Sequence, residues 1–346
     1  MATSIPKSAS DPIPLDSQVG GHAGVMTTED GSLIMKPAYP TEISFYQSVG
    51  ADPGLAALRP FIPKFYGTLR LEGEVDASQE GQEDGGQLKV KEVEGKHKDE
   101  CSWDMVSSQS IVLENISNAF LKPNILDIKL GTVLYDDDAT PEKRARMEKT
   151  ARETTSLETG VRLTGFQVYD LESGVAVNTP KTYGKSITAA QLSEGIAKFF
   201  PLAPDTTTTG TGLPARILLP ILENLREDIA EIKEALAELH FRMVGGSLLI
   251  VYEADWARAE EGLKLFDQSE PEEDDEEVDE DEDDDGGEGK KKVGPPYVVK
   301  LIDFAHTKIT PGQGPDEGVL KGVDTVLRLL DGRIKEVKAA AKDNAS

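Results

Sequence analysis

Asp127 and Lys129 stand two residues apart in the run Pro123-Asn124-Ile125-Leu126-Asp127-Ile128-Lys129-Leu130-Gly131. The run is apolar enough to read as a buried strand, and side chains two apart on a strand point to one face. Asp127 and Lys129 are therefore expected to look into one space, with Leu126, Ile128 and Leu130 turned the other way. Opposite charges held on one face suit a site that handles a phosphate and a hydroxyl together. A second apolar run, Val298-Val299-Lys300-Leu301-Ile302-Asp303-Phe304-Ala305-His306-Thr307, carries a lone carboxylate, Asp303, near its end. Phosphoryl transfer needs few parts: a cation on the nucleotide phosphates, an acid holding Mg²⁺, an acid orienting the attacking hydroxyl, and positive charge beside the transferred group. Lys36, Asp303 and the Asp127/Lys129 pair could supply them. On the residues alone, Asp303 also reads as a turn former, Lys36 as a solvated edge residue, and Asp127/Lys129 as an ion pair bracing two strands.

Other chemistries fit poorly. Gly184-Lys185-Ser186 suggests a phosphate-binding loop, but that motif needs glycine where Thr179 stands. No H-R-D catalytic loop and no G-x-S-x-G elbow occurs. One cysteine, Cys101, and four histidines make a zinc site a poor expectation. Aspartate oxygens remain, and these suit Mg²⁺ shared with substrate phosphates.

The elements that must position these residues follow from pattern. Gly31–Pro37 reads as a short strand stopped by proline, and Thr41 as the N-cap of a helix to Val49 with Glu42 in its first turn. Phe65–Glu72 and Gln109–Ile116 read as strands. Residues 76–100, rich in Gly, Glu, Gln and Lys, read as a flexible insertion. After the Pro123–Gly131 strand come a charged helix, Pro141–Thr155, and an alternating strand, Arg162–Asp170. A helix over Thr188–Phe200 opens on a Thr188/Gln191 capping box. A long amphipathic helix spans Leu213–Leu239, with Ile217, Ile221, Leu225, Ile229, Ile232 and Leu236 on one stripe. Ser247–Glu253 and Tyr297–Phe304 read as hairpin partners, and Gly318–Val337 as a closing helix. The expected organisation is a disordered segment over 1–20, a small lobe over 21–115, a larger lobe over 116–338 interrupted by a disordered acidic loop over 269–292, and a tail over 339–346.

Composition bounds the partners. The 346 residues carry a formal net charge of −26, but Glu270–Glu288 holds 15 acidic residues and no Lys or Arg. The remainder carries 48 acids against 37 bases, a net of −11. Direct nucleic-acid binding by phosphate neutralisation is not the expectation. The lone cysteine points to a reducing compartment, nucleus and cytoplasm. Met1–Leu15 has no apolar signal-peptide core, and apolar runs such as Leu248–Tyr252 fall far short of the ~20 residues of a membrane span.

Together these residues resemble a known family. P-N-I-L-D-I-K-L-G is similar to the P-x-x-x-D-x-K-x-G signature of the inositol polyphosphate kinases. I-D-F-A-H-T at 302–307 and S-L-L-I-V-Y-E at 247–253 resemble two further motifs of that family. So do E-K-R-A-R-M, G-V-R-L-T-G-F-Q-V-Y, Y-G-K-S-I-T and L-I-M-K-P-A-Y-P-T-E-I-S-F-Y. The resemblance covers about residues 20–335 and is strongest to the fungal multikinase branch, where an acidic insertion also separates the last two motifs. It implies an α+β, bilobal, protein-kinase-like fold: a small, mostly antiparallel N-lobe, a larger α+β C-lobe, and ATP in the cleft between them.

Residue by residue, the resemblance makes Lys36 the nucleotide-phosphate lysine and Glu42 its ion-pair partner. Glu114 and Ile116 become hinge residues whose backbone reads adenine. Asp127 would orient the acceptor hydroxyl, Lys129 would neutralise the moving phosphoryl group or a substrate phosphate, and Asp303 would hold Mg²⁺. A substrate with several phosphates needs a basic wall, for which Lys143, Arg146 and Lys149 on one broad face of the charged helix are candidates, joined by Gln167 and His306. The implied activity is ATP-dependent phosphorylation of inositol tris- and tetrakisphosphate toward the pentakisphosphate by a monomer. An inositol hexakisphosphate kinase is the sister alternative. A nuclear interaction protein that uses its acidic loop on basic partners is an alternative of another class, and phosphoinositides are a further conceivable substrate.

Overall fold

The computed structural model describes residues 13–14, 24–70, 109–206, 208–268 and 293–344. Of the segment expected to be disordered over 1–20 only Ile13–Pro14 is described, and it departs from the expectation by pairing as a short strand with Met26–Thr27. The rest of that segment, the 76–100 insertion and the 269–292 acidic loop lie outside the described residues. The small lobe contains β1 (Ile13–Pro14), β2 (Met26–Thr27), β3 (Leu33–Pro37), α1 (Pro40–Ala51), a 3₁₀ segment (Pro53–Phe61), β4 (Phe65–Arg70) and β5 (Gln109–Glu114). Its strands form one antiparallel sheet in the order β1-β2-β3-β5-β4. Helix α1 starts earlier than expected. Tyr39 is the N-cap and Pro40 opens the first turn, so Thr41 lies inside the helix and its hydroxyl donates to the Ala305 carbonyl. Proline fixes φ at a helical value and has no N–H to leave orphaned, so it takes the first turn and displaces the cap upstream.

The large lobe contains β6 (Pro123–Leu130), α2 (Pro141–Glu153), α3 (Ser156–Thr159), β7 (Val161–Asp170), β8 (Val175–Thr179), α4 (Lys181–Ser186), α5 (Leu192–Phe199), β9 (Leu202–Ala203) and β10 (Leu213–Pro214). It continues with α6 (Ala215–Glu238), β11 (Phe241–Val244), β12 (Ser247–Glu253), α7 (Trp256–Gln268), β13 (Tyr297–Ile302), β14 (His306–Ile309) and α8 (Glu317–Asn344). Its main sheet runs β13-β12-β6-β7-β8, antiparallel throughout. The β12–β13 hairpin forms as expected, with helix α7 in its connection, where no helix is expected from the sequence. All six apolar positions predicted on α6 are buried. They pack with α8 and the back face of the sheet in one core. The Thr188/Gln191 capping box is present, with Thr188 N–H donating to Gln191 Oε1 at 3.0 Å, and it opens a 3₁₀ turn that leads into α5.

One boundary is corrected by local chemistry, and one rejected motif finds its structural role. Helix α8 does not end at Val337 but runs through the expected tail to Asn344. Lys338-Ala339-Ala340-Ala341-Lys342 has high helix propensity even where the apolar stripe stops. Gly184 serves packing rather than a phosphate loop: it lies in α4, where a Cβ would collide with the Leu163 carbonyl of β7. Among the described residues no helix is long and apolar enough to cross a membrane.

Candidate active site

Strand β6 alternates as its sequence dictates. Leu126, Ile128 and Leu130 are buried in the core, while Asp127 and Lys129 share the opposite face. In the pairing register Asp127 lies opposite Leu249 of β12, itself opposite Lys300 of β13. Lys129 lies opposite Ser247, which pairs with Ile302. Asp303 therefore leaves β13 beside the row that holds Lys129. Gly131 closes the motif at φ 99°, a left-handed conformation that glycine adopts at no steric cost.

The small lobe reaches this face through Lys36. Its ammonium stands 2.9 Å from Glu42 Oε1 on α1 and 2.6 Å from Asp303 Oδ1. Burial works against that ammonium, but Asp303 and Glu42 outweigh it and hold Lys36 above the usual lysine range. Glu42 is 1% exposed, and burial raises its pKa against the pull of Lys36. Its Oε1 also accepts from Phe304 N–H at 3.2 Å, so one carboxylate fixes both the lysine and the segment after Asp303. Asp303 is the one non-glycine residue with positive φ among the described residues, at 67°. Backbone held in a sparsely populated region is kept only where the surroundings over-determine it. Here Phe304 stacks on Phe45 at 4.3 Å, clamping the segment to α1.

Asp127 is almost fully buried, and its Oδ1 has no hydrogen-bond partner in the structure. Burial, then the charge of Asp303, push its pKa up to about 6, with Lys129 pulling the other way. Two facing carboxylates, one with an orphaned oxygen, form a donor set that a hard cation sharing phosphate oxygens would relieve. Asp303 and Asp127 are therefore the residues that could hold a divalent metal here. Lys129 makes no hydrogen bond or ion pair with the described residues, which leaves it available to an anion.

Toward the hinge the same face turns apolar. Phe120, Ile125 and Val251 form a small buried cluster with Ile116, Leu249 and Val298 packed against it. Glu114 N–H donates to Lys64 O at 3.0 Å, and its side chain lies 3.8 Å from Lys300, whose ammonium also donates to Pro60 O at 2.6 Å. Lys300 thus ties the two lobes at the hinge.

The basic wall divides. Lys143 lies 4.0 Å from Asp136, and His306 Nδ1 lies 2.8 Å from the other oxygen of the same carboxylate. Burial lowers the His306 pKa against Asp136, and Lys143 and Lys129 push the same way as burial, so both lysines lie near the imidazole. Arg146 is exposed and makes no ion pair among the described residues. Lys149 is 69% exposed and lies 3.8 Å from Glu153 on its own helix, apart from the cleft residues. Gln167 is a correction. It is buried at the hinge end of the sheet, opposite Ile125, and its amide donates to Pro123 O at 2.9 Å, bracing β6 and β7.

Sequence alternation misses Arg162. The β6–β7 register shifts between Asp127 and Ile128, which pair with Gly165 and Leu163, so Thr164 is an extra residue. That bulge returns Leu163 to the core and turns Arg162, opposite Lys129, onto the charged face, where its guanidinium favours ionised Asp127.

A small antiparallel lobe in which a strand lysine pairs with a helix glutamate, set over a sheet face with two carboxylates and a second lysine, defines a kinase of the bilobal, protein-kinase-like kind. The chain belongs to the inositol polyphosphate kinase family, whose model matches residues 110–331. It is 33% identical over 91% of its length to the inositol polyphosphate multikinase of Saccharomyces cerevisiae, covering 97% of that protein. It is 29% identical over 64% of its length to inositol hexakisphosphate kinase 1 of Rattus norvegicus, of which it spans about half (51%). The crystal structure of a Saccharomyces cerevisiae inositol phosphate multikinase with ADP and Mn²⁺ superposes with a TM-score of 0.60, at 27% identity, covering 88% of this chain and all of that one (100%).

Proposed function

We propose that this inositol polyphosphate kinase is a multikinase that uses ATP and Mg²⁺ to phosphorylate inositol tris- and tetrakisphosphate toward the pentakisphosphate. The observation that carries this reading is the convergence of Lys36, Asp303, Asp127 and Lys129, from three distant segments, on one cleft face. Likeness to the yeast multikinase along nearly the whole chain supports the acceptor class. Lys36 binds nucleotide phosphates, and the apolar cluster beneath Ile116 receives the adenine. Asp127, buried and raised toward neutrality, accepts the proton of the attacking ring hydroxyl, a role in which a pKa near the working pH is favourable. Lys129 and Arg162 offset charge on the transferred group and on substrate phosphates. Mg²⁺, held by Asp303, would neutralise the nucleotide phosphates and keep them in line.

The hexakisphosphate kinase reading keeps its support from the relatives named above, and one assay separates the two. Chromatography of products from inositol trisphosphate, ATP and Mg²⁺ should show tetrakis- then pentakisphosphate. Turnover of the hexakisphosphate alone, or of no inositol phosphate, overturns the proposal. The single cysteine suits action in the nucleus and cytoplasm, which imaging of the tagged protein would test.

A further inference from the structure

A cavity of ≈ 310 Å³ opens beyond the end of β6, lined in part by Gly131, Tyr135, Asp136, Arg242, His306 and Lys308. His306 and Lys308 of β14 line it and Lys143 of α2 stands beside His306, and each of the three meets a carboxylate of the single loop between β6 and α2. His306 and Lys143 share Asp136, at 2.8 and 4.0 Å, and Lys308 lies 3.2 Å from Asp138. The loop is tethered to α2 on its other side. Arg144 donates to Asp137 O at 3.3 Å and covers the Tyr135 ring, while Tyr135 donates to Glu148 at 3.1 Å. Asp136 is thus carried inward between β14 and α2.

The fit of Asp136 is incomplete. Its side chain is only 14% exposed, yet the buried Oδ1 has no hydrogen-bond partner. A buried acceptor without a donor is costly, and a permanent structural brace would be expected to be satisfied. A phosphate at the same place would bring more acceptor oxygens to the imidazole of His306 and more charge to the ammonium of Lys143.

We infer that Asp136 occupies the seat of one substrate phosphate between His306 and Lys143, and is displaced when a ligand places a phosphate there. The inference rests on the inositol phosphate reading above. It makes Asp136 a specificity-determining residue. A ligand that lacks a phosphate at that seat leaves Asp136 in place and gains nothing from His306 and Lys143, and one that has it must first compete with a tethered carboxylate. Asp138, 86% exposed, competes weakly because solvent screens it.

The test is calorimetric binding of inositol trisphosphate to the purified full chain, wild type against Asp136→Asn, with Asp136→Ser as a second, smaller replacement in case the amide disturbs folding. Circular dichroism melts establish that each variant is folded. The expected result is about 3–10-fold tighter binding on removing the charge of Asp136, and less than about twofold for Asp138→Asn. Unchanged or weaker binding in the folded Asp136 variants overturns the inference, weaker binding meaning that Asp136 positions His306 for the substrate instead. A wild-type chain that neither binds nor phosphorylates any inositol phosphate overturns the functional reading, and this inference with it. A wild type that binds while its Asp136 variants bind no tighter overturns this inference alone.

Discussion

The main sheet of the large lobe has two faces of opposite character built from the same strands. On the back face Leu126, Ile128, Leu130, Leu248, Ile250 and Leu301 are at most 1% exposed and lie in one apolar core with α6 and α8. One residue out of phase, the cleft face carries Asp127, Lys129, Ser247 and Arg162, and the buried oxygens of Asp127 and Ser247 lack partners. Each buried aliphatic side chain contributes roughly 1.5–3 kcal/mol. A buried carboxylate costs stability while it remains ionised. The pleat lets one strand do both. The back face holds the sheet rigid, and that rigidity keeps an unfavourable charge in place where a substrate can use it.

The sharpest way to break this comparison is Asp127→Asn. Turnover should fall by about 10²–10⁴-fold with far-UV dichroism unchanged. Activity within tenfold of wild type would mean that the reaction does not use this face. Across the same strand, Ile128→Ala should lower unfolding free energy by about 2–5 kcal/mol in a urea titration and leave substrate KM unaltered where the protein is folded. A loss below about 1 kcal/mol would contradict the back face's role. Lys36→Met should cut kcat/KM for ATP by about 10²-fold, more than it changes KM for inositol trisphosphate, because its ammonium sits with Asp303 on the nucleotide side. Equal effects on both substrates would blur the division proposed for the cleft. At the small end, Lys149→Ala should change stability by less than about 0.5 kcal/mol and substrate KM by less than about twofold, since its ion pair is solvated. A tenfold KM change would restore it to the substrate wall.

Much of this was legible in the sequence for specific reasons. Asp127 and Lys129 were readable because β6 is a regular strand whose alternation survives against β12 residue by residue. The stripe on α6 was readable because its period is helical from Ile217 to Leu236, about five turns. Bringing Lys36 and Asp303 to that face needed the family resemblance, since no local pattern joins residues 267 apart in sequence. Three features were hidden. The Thr164 bulge inverts the facing of Arg162, and nothing in a period of two announces an extra residue. The Gln167 amide is taken by the Pro123 carbonyl, a tertiary contact invisible in spacing. The grip of Asp136 on His306 and Lys143 joins three segments, and in sequence Asp136-Asp137-Asp138 is only a polar connection.

The account's central claim is that the cleft face holds Asp127 at the expense of stability so that it can accept a proton. Asp127 has a folded pKa of about 6 against 3.8 for the unfolded chain, raised by burial and by Asp303. Its contribution is therefore most favourable below about pH 4 and is lost as pH rises through 6, by about 2–3 kcal/mol. The direct measurement is the unfolding free energy of wild type and Asp127→Asn from pH 4 to 8. The variant should be the more stable protein above pH 6, with the gap closing as pH falls toward 4. A variant less stable than wild type at pH 7.5 would contradict the claim and make Asp127 a structural brace.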